Sequence, residues 1–174
     1  MSVIAELLKL LIPAGLVLYG MYLTVRVMID REFRQKQEEV RSRNSEAITP
    51  IRLQAYERMT LFLERISPNN LLLRLANGAP TALDLQQLLL RDIREEFNHN
   101  LSQQIYMSQP TWDLITSAMN EVMALINQAA AEVPPEAPAI DLSKRIFDKV
   151  IQQNAQPVGP ALRAVKEEVQ QTFM

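Results

Sequence analysis

Apolar residues recur along most of this chain at steps of three and four, the spacing that places them on one face of a helix. No stretch shows the period-two alternation of β-branched residues that marks a half-buried strand, and glycine occurs only 4 times. The pattern predicts an all-α chain. From Pro50 to Ile66 the inner face is Ile51, Ala55, Met59, Phe62, Leu63 and Ile66, with Arg52, Glu57, Arg58, Glu64 and Arg65 outside. Thr49 and Ser67, each followed by proline, read as N-caps with proline at the first helical position. Ser67-Pro68 launches a short apolar helix, Leu71 to Ala76, closed by Asn77-Gly78.

Thr81 and Asp84 form a capping-box pattern that opens a long helix from Ala82 to about Met107. Leu85, Leu89, Ile93, Phe97, Leu101 and Ile105 lie in line along it, and Leu88 and Leu90 widen the stripe. After Ser108-Gln109-Pro110-Thr111, the series Trp112, Ile115, Met119, Val122, Ile126 and Ala129 predicts a helix to about Glu132. Trp112 is expected to pack against the stripe holding Phe97 and Leu101. Val133 to Ala139, VPPEAPA, predicts a flexible proline-rich loop. Asp141 is read as the cap of a helix to about Asn154, with Leu142, Ile146, Phe147, Val150 and Ile151 inward. Gly159-Pro160 precedes a last helix with Leu162, Val165, Val169 and Phe173 inward. Faces this narrow must cover one another, so the expected architecture is an antiparallel helical bundle. The last two helices could equally dock on a partner or a membrane surface.

Leu10 to Ile29, LLIPAGLVLYGMYLTVRVMI, departs from this pattern because it is apolar all round. From Leu10 to Val25 its only ionisable groups are the phenols of Tyr19 and Tyr22. Those 16 residues rise about 24 Å as a helix, a little short of a ~30 Å hydrocarbon core. Lys9 and Arg26 can snorkel, which lets Leu7, Leu8, Val27, Met28 and Ile29 lengthen the span. No small-x-small cleavage site follows, as a signal peptide would require. A buried core helix, in a soluble protein whose N-terminal helix is covered by an oligomer, is the competing reading. The stretch predicts one transmembrane helix, contacting the lipid bilayer through residues 10–29. Arg26, Arg31, Arg34, Lys36, Arg41 and Arg43 follow the span, against Lys9 and the α-amine before it. The positive-inside rule then puts the C-terminal domain in the cytoplasm of a single-pass inner-membrane protein.

Between span and bundle lies DREFRQKQEEVRSRNSEA, Asp30 to Ala47, with five bases, five acids and no net charge. Phe33, Gln37, Val40, Asn44, Ala47 and Ile51 alternate by four and three, a weak paired-helix seam with amides at two inward positions. Its short length favours a solvated helical stalk. The predicted organisation is an anchor at 1–29, a stalk at 30–49, a bundle core at 50–133, and a proline-rich loop with two helices at 134–174.

Composition narrows the chemistry. The 174 residues hold no cysteine, which excludes disulfides, thiolate metal sites and a cysteine nucleophile. From Ile51 to Met174 there are 11 Lys and Arg against 14 Asp and Glu. That balance, with no basic cluster or aromatic platform, argues against nucleic-acid binding. The one histidine, His99, lies in RDIREEFNHN with Glu95 four residues back and Glu96 three back. A Glu-x-x-His step supplies ligands in di-iron carboxylate bundles, but those sites need two such steps and further glutamates. No serine, threonine or cysteine stands in a nucleophile setting beside a base. A helical enzyme or metal-binding bundle centred on Glu95, Glu96 and His99 is therefore the rival reading. The favoured one assigns no catalytic, cofactor-binding or metal residue.

AYERM (Ala55–Met59), LFLERI (Leu61–Ile66) and Ser67-Pro68-Asn69, followed by EFNHNLSQQIY (Glu96–Tyr106), resemble an uncharacterised family of bacterial single-span, membrane-anchored helical proteins. The resemblance covers roughly Leu10 to Trp112. It implies a membrane span ahead of a helical cytoplasmic domain, and it implies no activity. Residues and resemblance together lead to one expectation: a non-enzymatic, membrane-anchored helical interaction module or accessory subunit of a membrane assembly. Its partners would be the bilayer and an unidentified protein or a second copy.

Overall fold

A computed structural model describes the backbone of residues 3–152, 154 and 156–173; the side chains of residues 3–11, 13, 14 and 38–47 lie outside the described residues. Helices α1 (Val3–Ile66), α2 (Pro68–Leu75), α3 (Ala82–Asn100), α4 (Gln109–Ala130), α5 (Ala139–Gln152) and α6 (Gly159–Phe173) follow in order. Short 3₁₀ turns occupy Ala76–Gly78 and Leu101–Tyr106. Among the described residues there is no strand, only an isolated bridge between Thr81 and Pro138. The fold is all-α. The chain divides into two units, Met1–Pro50 and Ile51–Met174.

The first unit is a single helical course. Ile12 and, from Leu16 to Ile29, most large apolar side chains are exposed, with Leu16, Val17 and Leu18 between 67 and 69% accessible. Among the described residues no helix is long and apolar enough to cross a membrane. The predicted span is only partly within them, because the side chains of Leu10, Leu11, Pro13 and Ala14 are outside. What remains uncharged runs from Gly15 to Val25, about 16 Å of helix. The seam positions Val40, Asn44 and Ala47 also fall outside the described side chains. Thr49-Pro50 does not begin a new helix, for α1 continues through it to Ile66. A proline inside a helix removes one backbone donor and crowds the carbonyl four residues back, here that of Glu46.

In the second unit the inner faces meet. Ala55, Met59, Phe62, Leu63 and Ile66 of α1 are fully buried, while Ile51 is 49% exposed and lies off the inner face. Leu71 and Leu72 of α2 and Leu85, Leu89 and Ile93 of α3 join the same core. Helix α4 packs against α3, α5 and α6. That central place explains why it buries Thr111, Ala118 and Leu125 besides Trp112, Ile115, Val122, Ile126 and Ala129 of the expected stripe, while Met119 is only half-buried. Phe97 bridges two aromatic neighbours, Phe62 at 5.7 Å and Trp112 at 5.6 Å in a stacked arrangement. Such pairs add about 0.5–1.5 kcal/mol beyond the area they bury. The expected Phe97–Trp112 contact is therefore present. The C-terminal helices belong to this core, with Leu142, Ile146, Ala161 and Val165 buried.

Further local expectations change. Helix α3 stops at Asn100, not Met107, and the chain continues as a 3₁₀ turn. Three residues per turn rotate side chains off a 3.6-residue stripe, so Leu101 and Ile105 are 41% and 74% exposed. Ser67 does not cap α2 with its side chain; its hydroxyl donates to the Glu64 carbonyl at 2.8 Å. Gly78 closes its turn without positive φ. A Cβ there would approach Leu88 Cδ2 to 3.1 Å, close enough that the leucine tip would have to shift by a few tenths of an ångström.

The segment VPPEAPA, expected to be flexible, is tied down. The Ala82 and Leu83 amides donate to the carbonyls of Ala137 (2.8 Å) and Pro135 (3.1 Å), and the Ala139 amide donates to Pro80. The first amides of a helix lack partners within it, and here the loop carbonyls supply them. Thr81 completes the start: it accepts from the Asp84 amide, as the capping pattern predicts, and the Asp84 carboxylate accepts from the Thr81 hydroxyl, where a full capping box uses the backbone amide. Asp141 lies inside the first turn of α5, paired with Lys144 at 3.8 Å, and is not the cap.

Candidate functional site

The densest polar cluster of the second unit gathers around Glu168 of α6. The 3₁₀ turn ending at Tyr106 gives way to extended backbone at Met107, and Ser108 becomes the N-cap of α4 without capping by its own side chain. Glu168 meets this N-cap residue from another helix. Its Oε1 accepts from the Ser108 amide at 2.7 Å and its Oε2 from the Ser108 hydroxyl at 2.6 Å. A carboxylate at a helix N-terminus also meets the favourable end of the helix dipole. Tyr56, buried on α1, donates its phenol to Glu168 Oε1 at 2.8 Å, with the Tyr106 carbonyl a second acceptor at 3.1 Å. Arg52 reaches the same phenol at 3.4 Å and lies 5.5 Å from the centre of the Phe173 ring, which meets Tyr56 edge-on.

The electrostatics decide what this cluster can do. Burial raises the Glu168 carboxyl, but hydrogen bonds from Ser108, Thr111, Tyr56 and the Ser108 amide outweigh it and hold the group below its ordinary range. Burial, then the bond to Glu168, pushes the Tyr56 phenol up. Near neutral pH the carboxylate is a poor base and the phenol a poor acid, opposite to the tuning that proton transfer needs. The arrangement is a polar clamp joining α1, α4 and α6. Beside it an open groove of about 310 Å³ is walled by Leu53, Tyr56, Thr60, Val165 and Val169, with Glu57 and Lys166 at its rim.

The residues singled out for metal or acid–base chemistry are not brought together. His99 and Glu95 are exposed on α3, and Glu96 pairs with Arg65 at 3.3 Å. Nearby, Arg74 holds Asp92 through two bonds of 2.6 and 3.1 Å, linking α2 to α3. Among the described residues no group of three or more His, Asp or Glu could hold a metal ion. Glu168 escaped sequence reasoning because its partners lie 60 and 112 residues away. The available signal was its place one residue before Val169 and three after Val165, at the margin of the apolar stripe.

Fold and cluster define an all-helical protein in which half-buried polar groups fasten helices to one another. The chain matches the family of unknown function DUF7935 over residues 2–172 and belongs to that family. No curated protein and no solved structure matches it.

Proposed function

We propose that this protein is a membrane-anchored helical interaction module, an accessory subunit of a membrane assembly, held by residues 10–29 with its C-terminal domain in the cytoplasm. The observation that carries this reading is the collar of exposed apolar side chains along α1 from Leu16 to Ile29. An apolar surface of that extent requires cover, and a helix apolar on all sides suits lipid better than one-sided packing. Lys9 before the stretch, and Arg26, Arg31, Arg34 and Lys36 after it, supply the asymmetry that orients single spans. The interaction role follows by elimination, since the half-buried cluster around Glu168 is tuned away from acid–base catalysis.

Alkaline extraction of membranes carrying the full chain tests the anchor. The wild type is expected in the pellet, and the double substitution Leu18→Arg with Leu23→Arg is expected to move it to the supernatant. A wild-type chain released by alkali would overturn the anchor and favour a soluble oligomer that buries the same surface.

A further inference from the structure

The neutral charge balance of residues 30–47 conceals a segregation that appears once they are placed on the observed helix. With Phe33, Val40 and Ala47 at d positions of a heptad and Gln37 and Asn44 at a, the flanking e and g positions carry Arg34, Arg41, Lys36 and Arg43. Glu32, Glu38, Glu39 and Glu46 all fall at b and c, on the far side. Asp30 and Arg31, at the start of the segment, stand outside this pattern. Of the side chains described, Phe33 is 64% exposed, and Arg34, Lys36 and Gln37 are exposed beside it. By register alone, the positions of Phe33, Gln37, Val40, Asn44 and Ala47 therefore form a line between two lines of cationic positions.

We propose that residues 30–50 pair in parallel with an acidic helix of a different protein, one bearing carboxylates at e and g and amides opposite Gln37 and Asn44. The proposal rests on the membrane reading, because a common anchor forces copies of this chain to lie parallel. In a parallel pair each g residue faces the e residue of the partner's next heptad, so self-pairing would set Lys36 against Arg41 on both sides of the seam. An acidic helix turns the same borders into ion pairs. Exposed pairs of this kind select partners more than they add affinity. The amides restrict register, and confinement of both helices to one membrane raises their effective concentration.

The test uses the full chain in phosphatidylcholine nanodiscs, where both membrane faces are accessible. The probes are two synthetic 21-residue helices, each with Leu at d and Asn at a, one with Glu and the other with Lys at every e and g. The Glu peptide is expected to bind at least tenfold tighter at ~50 mM salt, with the gap narrowing towards ~500 mM as screening shortens the Debye length. The fourfold variant Arg34→Glu, Lys36→Glu, Arg41→Glu and Arg43→Glu is expected to reverse the order. Equal binding of the two peptides, binding of neither, or an unchanged preference in the variant would overturn the proposal. So would displacement of the Glu peptide by phosphatidylserine in the disc, which gives the cations to lipid. Disulfide capture between copies carrying Gln37→Cys, in a chain with no cysteine of its own, would give the seam to a second copy. Nanodisc incorporation and alkaline extraction report on the anchor separately, so loss of peptide discrimination with the anchor intact rejects the acidic partner alone.

Discussion

Glu168 fastens three helices that are distant in sequence, and its titration makes that fastening measurable. Its carboxyl is held below the ordinary range despite burial, because the Ser108 hydroxyl, Thr111, Tyr56 and the Ser108 amide favour the charged form. A group whose folded pKa is depressed contributes stability above its unfolded pKa and loses it as pH falls through the folded one. Acid should therefore loosen the clamp, with the loss beginning near the ordinary glutamate range and completing below it. Glu168→Gln is expected to cost about 1–2 kcal/mol at neutral pH, the lower part of the range for charged hydrogen bonds because the site is half-buried. It should also flatten the acid limb of stability against pH, measured by denaturant unfolding at several pH values. An unchanged acid limb would assign the pH dependence to other carboxylates. Trp112 and His99 form a second residue-scale contrast. Trp112 stacks on Phe97 and is 9% exposed, so Trp112→Ala is expected to cost about 3–5 kcal/mol. His99→Ala, on the open face of α3, is expected to stay within about 0.5 kcal/mol. Iodide quenching of the sole tryptophan provides an independent check, and ready quenching would show that Trp112 is exposed.

At the scale of elements, what the sequence made legible was the inward stripe of each helix. Ala55, Met59, Phe62, Leu63 and Ile66, and likewise Leu85, Leu89 and Ile93, are buried where the 3.6-residue period placed them. Periodicity failed where the backbone changed its period. Nothing in Leu101 to Tyr106 announces a 3₁₀ turn, so Leu101 and Ile105 looked like a continuing stripe. Composition failed at VPPEAPA, whose prolines lack amide donors while every residue keeps its carbonyl, and the carbonyls of Pro135 and Ala137 are what α3 uses at its start. The Glu168 clamp was illegible for a different reason: its partners meet only through tertiary packing. The period change yields a sharp test. Ile93→Ala is expected to destabilise by about 2–5 kcal/mol as a core truncation. Ile105→Ala, by the stripe equivalent to it but 74% exposed, is expected to change stability by less than about 0.5 kcal/mol. Equal effects in thermal unfolding would mean that α3 continues as an α-helix beyond Asn100.

At the scale of the whole molecule the question is whether the second unit needs the first in order to fold. Among the described residues the buried core runs from Ala55 to Val165 and lies within Ile51–Met174, as do the clamp and the loop that caps α3. A domain of this length is large enough to sustain one hydrophobic core. The exposed apolar side chains of α1 between Leu16 and Ile29 contribute nothing to that core, but they favour association of any chain that carries them in water. A fragment beginning at Glu46 is therefore expected to be monomeric and strongly helical by circular dichroism, and to unfold in one cooperative transition. Full-length protein without lipid or detergent is expected to aggregate. The pair of outcomes matters more than either alone. A folded, monomeric fragment beside an aggregating full chain separates a domain that is complete in itself from a segment that requires an apolar surrounding. An unfolded fragment would mean that residues before Glu46 supply part of the domain's stability, and the anchor would then have to be counted as a structural element of the bundle.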